Sequence, residues 1–148
     1  MIHLAGDKHA EPALQQIRSY LTSTSSEYRE YGYREGADPA AKLQDFIPVV
    51  AQAVQAEPKA TGILVCGTGA GVEIGANRFA GVRASLCATP QAAEWARVYD
   101  AANILCIAAW ALPDLDLDGL LSAWYGSAYD GSVSRREMLD AFDAWART

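Results

Sequence analysis

Residues 63–77 constrain this chain more than any other stretch: Ile63-Leu64-Val65-Cys66-Gly67-Thr68-Gly69-Ala70-Gly71-Val72-Glu73-Ile74-Gly75-Ala76-Asn77. The short apolar run reads as a buried parallel strand, and it empties into glycines at every second position, Gly67, Gly69 and Gly71. Small and apolar residues then resume at helical spacing. Strand, glycine turn and helix together aim backbone N–H groups at an anion. Glycine serves such a turn because it takes positive φ freely and lets a ligand approach the backbone. Cys66 stands where the strand ends and the turn begins. A thiol there feels the positive end of a helix, which favours thiolate, so it reads as a base or nucleophile beside an oxyanion site. A cysteine ending a buried strand is more often plain core filler, and spacing alone leaves both readings open. Glu73, one turn into the helix, is either a second acid or base or a residue that favours the helix N-terminus.

Two common uses of such a turn are excluded. No Asp or Glu follows at the distance of about twenty residues that a dinucleotide fingerprint requires, and no Gly-Lys-Ser/Thr follows as in a phosphate-binding P-loop.

Around this centre, strands and helices alternate. Strands are expected at Ile2–Ala5, Tyr28–Tyr31, Ile63–Val65, Val82–Cys87 and Asn103–Ala108. Ala10, Leu14, Ile17 and Leu21 recur at helical spacing. Asp45 reads as the cap of a helix with Pro48 in its first turn and Val49, Val50, Ala53 and Val54 facing inward. The glycine-turn helix runs to about Phe79, and a further helix starts with Thr89 as cap and Pro90 at the first position, ending near Val98. Two C-terminal helices are expected near Leu115–Trp124 and Ser134–Ala146, and residues 32–41 read as a loop. This order implies right-handed crossovers and a five-stranded parallel sheet in a three-layer αβα sandwich of Rossmann-like α/β class. Ligands then sit beyond the carboxyl ends of the strands, where the turns holding Asp7–His9 and Cys66–Gly71 and the Tyr99–Asp100 loop are expected to lie or to reach.

One domain is expected for 148 residues. Neither a membrane-length apolar run nor a basic-then-apolar N-terminus is present, so a cytoplasmic location is expected. Cys66, Cys87 and Cys106 form an odd count without CxxC spacing and read as reduced thiols rather than a zinc set or a disulfide framework. The net charge of −6 argues against nucleic acid as a general partner.

Several blocks in fixed order carry a resemblance: Cys66-Gly67-Thr68-Gly69-x-Gly71, Ala76-Asn77, Gly81-Val82-Arg83-Ala84 and Ala102-Asn103-Ile104-Leu105. Together they resemble the type B ribose-5-phosphate isomerases and their galactose-6-phosphate isomerase relatives, from Met1 to about Asp140. The resemblance implies interconversion of an aldose and a ketose through an enediolate, without a metal or another cofactor. It makes Cys66 the base, Gly67, Gly69, Ala70 and Gly71 the anion-binding loop, and Thr68 a polar aid to proton movement at the oxygens. Asn77 and Arg83 match family positions too, although a buried asparagine and a structural ion pair would explain them equally. The resemblance further implies a homodimer or homotetramer with the active site between subunits.

The departures from the family matter as much. Its Asp-His after the first strand is here Lys8-His9, with Asp7 one place early. Its Arg-x-His-Asn-x-Ala-Asn is Arg97-Val98-Tyr99-Asp100-Ala101-Ala102-Asn103, so the ring-opening histidine is replaced by Tyr99. A phenol can donate a proton, but its ordinary pKa of about 10 makes it a poor base at neutral pH. Arginines that clamp phosphate in the family are replaced by Trp110, Val133 and Glu137. Each lost charge-assisted bond weakens dianion binding by roughly 1.5–3 kcal/mol. Lys8, Arg135 and Arg136 are the candidates to compensate, and Trp110 offers an apolar face for stacking or for packing. The expected site is therefore Cys66, Thr68 and Tyr99 for catalysis, with Asp7, Lys8, His9, the loop, Asp100, Asn103, Trp110 and Arg136 for binding. The substrate lacks the usual phosphate or holds its charge differently. The competing reading is a non-catalytic or partner-dependent sugar-binding relative.

Overall fold

A computed structural model describes residues 1–36 and 41–146. In chain order the elements are β1 (Ile2–Gly6), α1 (Glu11–Ser23), β2 (Tyr28–Gly32), α2 (Leu43–Ala56), β3 (Thr61–Cys66), α3 (Ala70–Ala76), β4 (Ala84–Leu86), α4 (Pro90–Asp100), β5 (Ile104–Ala108), α5 (Leu117–Tyr125) and α6 (Val133–Trp145). Short 3-10 turns occupy Lys8–Ala10 and Ala109–Asp114.

The strands form one parallel sheet in the order β2-β1-β3-β5-β4, with β1 and β3 in the middle. From β1 the chain steps outward to β2, then returns across to β3 and builds the other half. The strand order therefore reverses between β1 and β3, which opens a crevice at their carboxyl ends. The inner strands β1, β3 and β5 are buried on both faces, and the alternation of side chains divides the core into two. Leu4, Ile63, Val65, Leu105 and Ile107 face one side, with α1, α4 and α5 packed over them. Ala5, Leu64, Cys66, Ile104 and Cys106 face the other, under α2 and α3. Cys66 is thus the last inward residue of its strand on the α2–α3 side.

The expected three-layer α/β architecture is the one observed, with local corrections. Lys42, not Asp45, is the cap of α2; Asp45 sits three places on, and its carboxylate accepts the Lys42 backbone N–H at 3.1 Å. Because α2 begins at Leu43, Pro48 lies in its second turn and forfeits a helical N–H bond. Rotating the helix start also changes its buried face to Phe46, Ile47, Val50, Ala51 and Val54, leaving Val49 exposed. Strand β4 is confined to three residues, since Val82 belongs to the preceding turn and Arg83 accepts from β5 through its carbonyl oxygen. Asp116 caps α5 by accepting from Gly119, which moves that helix two residues on from Leu115. Of the loop expected over residues 32–41, Gly32 ends β2 and residues 37–40 lie outside the described residues.

Candidate active site

Two turns meet at the crevice between β1 and β3. The first follows β1: Asp7 accepts the His9 backbone N–H at 3.0 Å, and the Asp7 N–H donates to the Val65 carbonyl at 3.3 Å. That second bond joins the β1 turn to the end of β3. The other turn is Gly67–Gly71. Gly69 takes φ +72°, and a β-carbon there would lie 2.5 Å from Leu86 and 3.0 Å from the Ala108 backbone nitrogen. Both positive φ and close approach thus require glycine at that position. Thr68 is exposed, and its hydroxyl accepts the Ala70 N–H at 3.3 Å, so it shapes the start of α3.

Cys66 is 4% exposed. Its Sγ lies 3.9 Å from the position of a β-carbon on Gly71, while Leu43 of α2 approaches the same position to 2.8 Å. The sulfur therefore sits beneath the glycine loop with its back to the core. Trp110 closes the loop from the other side, donating its backbone N–H to the Gly67 carbonyl at 3.0 Å. Its indole meets the His9 ring edge-on, with centroids 5.4 Å apart, yet stays 64% exposed. Next to this lies a cavity of about 410 Å³ lined by Asp7, Lys8, His9, Lys42 and Leu43. Lys42 and Leu43 escaped the sequence reading. The spacing of Leu43, Ile47, Val50 and Val54 could have revealed the true helix start, and with it Lys42 at the cavity rim.

Cys87 and Cys106 are buried and their thiols are pushed up by burial, which keeps them protonated and outside the chemistry. Glu73 is spoken for as well: its Oε1 accepts the Leu86 N–H at 2.8 Å and fixes β4 to α3. Asn77 does similar work, exchanging two 2.9 Å bonds with the backbone of Ala84.

The remaining residues expected at the site are not brought to it within one chain. Helix α4 runs antiparallel to the sheet, so Tyr99 and Asp100 in its last turn lie at the amino ends of the strands. Asn103 precedes β5 at that same end, and its amide is consumed: Oδ1 accepts from the Arg83 N–H and Nδ2 donates to the Gly81 carbonyl, both at 2.8 Å. Asn103 is therefore a brace for the β4–β5 entry rather than a substrate ligand of its own chain's loop. Arg136 lines a cavity with Thr61 and Asn103, again at the amino end. Thr61 and Cys66 bound the same strand, and five residues at about 3.3 Å each separate the two ends by roughly 16 Å.

With this geometry in place, the family model described as Ribose/Galactose Isomerase matches residues 2–140. The chain belongs to the ribose/galactose isomerase family. A probable ribose-5-phosphate isomerase B of Mycoplasma pneumoniae is 34% identical over 106 residues, covering 72% of this chain and 69% of that one. A 4-deoxy-4-sulfo-D-erythrose isomerase of a Clostridium species is 32% identical over 109 residues, 74% of this chain and 68% of that one. The crystal structure of ribose-5-phosphate isomerase B from Mycoplasma genitalium with bound ribulose-5-phosphate superposes with a TM-score of 0.87 at 26% identity, covering 97% and 94% of the two chains. The chain is accordingly a member of a family of sugar-phosphate aldose–ketose isomerases. Among the described residues no helix is long and apolar enough to cross a membrane.

Proposed function

We propose that this protein interconverts an aldose and a ketose by proton transfer through an enediolate, with Cys66 as the base. The observation that carries the reading is the seat of the Cys66 sulfur, beneath Gly71 at the crevice where the strand order reverses. A carbonyl held by the amides of the Gly67–Gly71 loop gains an acidic α-proton, which a thiolate at the loop's base removes and returns one carbon away. Thr68 stands at the mouth of the loop, exposed, where its hydroxyl can also serve the substrate oxygens.

The substrate proposed is a short, open-chain sugar. Trp110 stands where the family resemblance implies a phosphate-binding arginine, and its exposed indole offers its face to an uncharged part of the ligand. Any terminal anion, phosphate or sulfonate, is held by Lys8 and Lys42 across the cavity between them. A relative named for a sulfonated tetrose supports widening the search beyond ribose 5-phosphate.

A homodimer belongs to the same proposal. Tyr99 is 44% exposed and remote from its own Cys66, so it and Asp100 can reach such a loop only from a second copy.

The test is incubation in deuterated water with free, phosphorylated and sulfonated tetroses and pentoses. Deuterium is expected at the α-carbon of at least one, and Cys66→Ala is expected to stop its incorporation. Exchange with none of them, or full exchange by Cys66→Ala, overturns the reading. For the dimer, mixing Cys66→Ala with Tyr99→Phe chains is expected to recover activity that neither has alone.

A further inference from the structure

The amino end of the sheet carries a second concentration of charge, remote from the Cys66 of its own chain. A cavity of about 330 Å³ is lined there by Lys59, Arg83, Arg97 and Arg136 together with Thr61, Asn103 and Tyr129, and no carboxylate is among its lining residues. In a chain of net charge −6, four cations around one cavity are conspicuous.

Their partners decide what the cavity can do. Arg83 is neutralised, since its guanidinium reaches Asp143 at 3.1 Å and the Ala101 carbonyl at 3.0 Å. Lys59, Arg97 and Arg136 have no ion pair among the described residues. Arg97 lies with its guanidinium 5.2 Å from the centre of the Trp124 ring, donates one N–H to the Ala102 carbonyl, and keeps its buried Nε without a partner. Arg136 stacks 4.7 Å over the Tyr129 ring, which holds its guanidinium plane in place. The Tyr125 hydroxyl, beside Thr61 and Arg97, is buried as well. Like charges converging on unmet donors in a partly desolvated space are stabilised by an anion that accepts from several of them at once.

We propose that this cavity is an anion site for phosphate, either free or as the phosphate group of a small metabolite, held by Lys59, Arg97 and Arg136. Within one chain it lies at the end of the sheet opposite Cys66. Guanidinium groups suit a phosphate because they donate in a planar fork to two oxygens, and Lys59 at the rim adds a mobile charge that closes over the bound ion.

The test is titration of inorganic phosphate, sulfate and ribose 5-phosphate into the full chain by calorimetry, with thermal unfolding in parallel. To silence the other cationic pocket, the titration is repeated in a Lys8→Ala Lys42→Ala double variant, where binding is expected to persist. Lys59→Ala and Arg136→Ala are each expected to weaken phosphate binding about fivefold or more. Because loss of Arg136 also removes its packing on Tyr129, Lys59→Glu provides the second measurement. Its carboxylate stands in for the ion, so this variant is expected to unfold at a higher temperature than Lys59→Ala in phosphate-free buffer and to lose the phosphate-dependent rise in Tm. Tighter binding of ribose 5-phosphate than of phosphate, or the reverse, supports the site and names its source. No binding up to about 20 mM phosphate, or binding abolished in the Lys8→Ala Lys42→Ala variant and unchanged by Lys59→Glu, overturns the proposal.

Discussion

Trp110 donates its backbone N–H to the carbonyl of Gly67 at 3.0 Å, and its indole lies over that same glycine so closely that a β-carbon there would be 2.4 Å from the ring. One residue thus supports the loop with its backbone and roofs it with its side chain. Gly67 is needed for this close approach, whereas Gly69 is needed for its positive φ as well.

The two glycines are accordingly expected to respond differently to alanine. In Gly67→Ala the exposed indole can swing away, so stability should change by less than about 1.5 kcal/mol while turnover falls at least tenfold. Tryptophan fluorescence shifting to the red would accompany that movement. In Gly69→Ala the new methyl group meets Leu86 and the Ala108 backbone at a strained φ, with an expected loss of about 2–4 kcal/mol in urea unfolding. Equal stability losses at both positions would contradict this account.

Glu73 separates bracing from catalysis. Its carboxylate accepts the Leu86 N–H, a bond that a glutamine carbonyl can also accept. Glu73→Gln is therefore expected to keep both stability and turnover, whereas Glu73→Ala leaves Leu86 unpaired at a cost of about 1–3 kcal/mol. A glutamine variant that folds normally but loses turnover would move Glu73 into the chemistry.

Histidine 3 makes stability depend on pH. It is buried in β1 with its Nδ1 3.1 Å from the Tyr31 hydroxyl. Burial first, then the N-terminal ammonium and Arg29, hold its imidazole below the usual value of 6.5, against the pull of Glu57. The folded chain thus keeps His3 neutral where the unfolded chain takes up a proton. Its contribution is present above about pH 6.5 and is lost as pH falls through the lower folded value. Tm should fall between pH 7.5 and 5, and His3→Gln should narrow that difference, at about 2–4 °C for each kcal/mol removed. An NMR titration placing the His3 midpoint above 6.5 would reverse the sign and refute the assignment.

Trp110→Arg introduces the arginine that the family resemblance implies at this position. If the indole is what turns away the phosphate end, the variant should raise kcat/KM for sugar phosphates by about tenfold or more, the worth of one charge-assisted bond. The natural substrate should meanwhile lose affinity. A variant with unchanged preference would show that Trp110 only packs.

Much of this was legible in the chain because local rules act locally. The β3 run and its glycines require a strand and a tight turn whatever surrounds them, and the alternation with amphipathic helices leaves few arrangements besides a parallel sheet. Thr89 and Pro90 open α4 where their chemistry places them, with the Thr89 hydroxyl accepting the Ala92 N–H at 3.1 Å. The start of α2 is ambiguous along the chain because Asp45 serves equally as a cap or as the third helical residue reaching back, and only the bond to Lys42 distinguishes them.

The sequence by itself determined the strand, the glycine loop and the cysteine at its base, since these depend on neighbours along the chain. Tertiary structure alone decided which polar residues share an end of the sheet. Tyr99 and Asn103 sit close in sequence to a strand of the site, yet an antiparallel crossover helix carries them to the far end, while Trp110 and Lys42 arrive at the loop from distant segments. Position along a parallel strand, set by the direction of the connecting helix and by the reversal of strand order, is a property of the whole sheet.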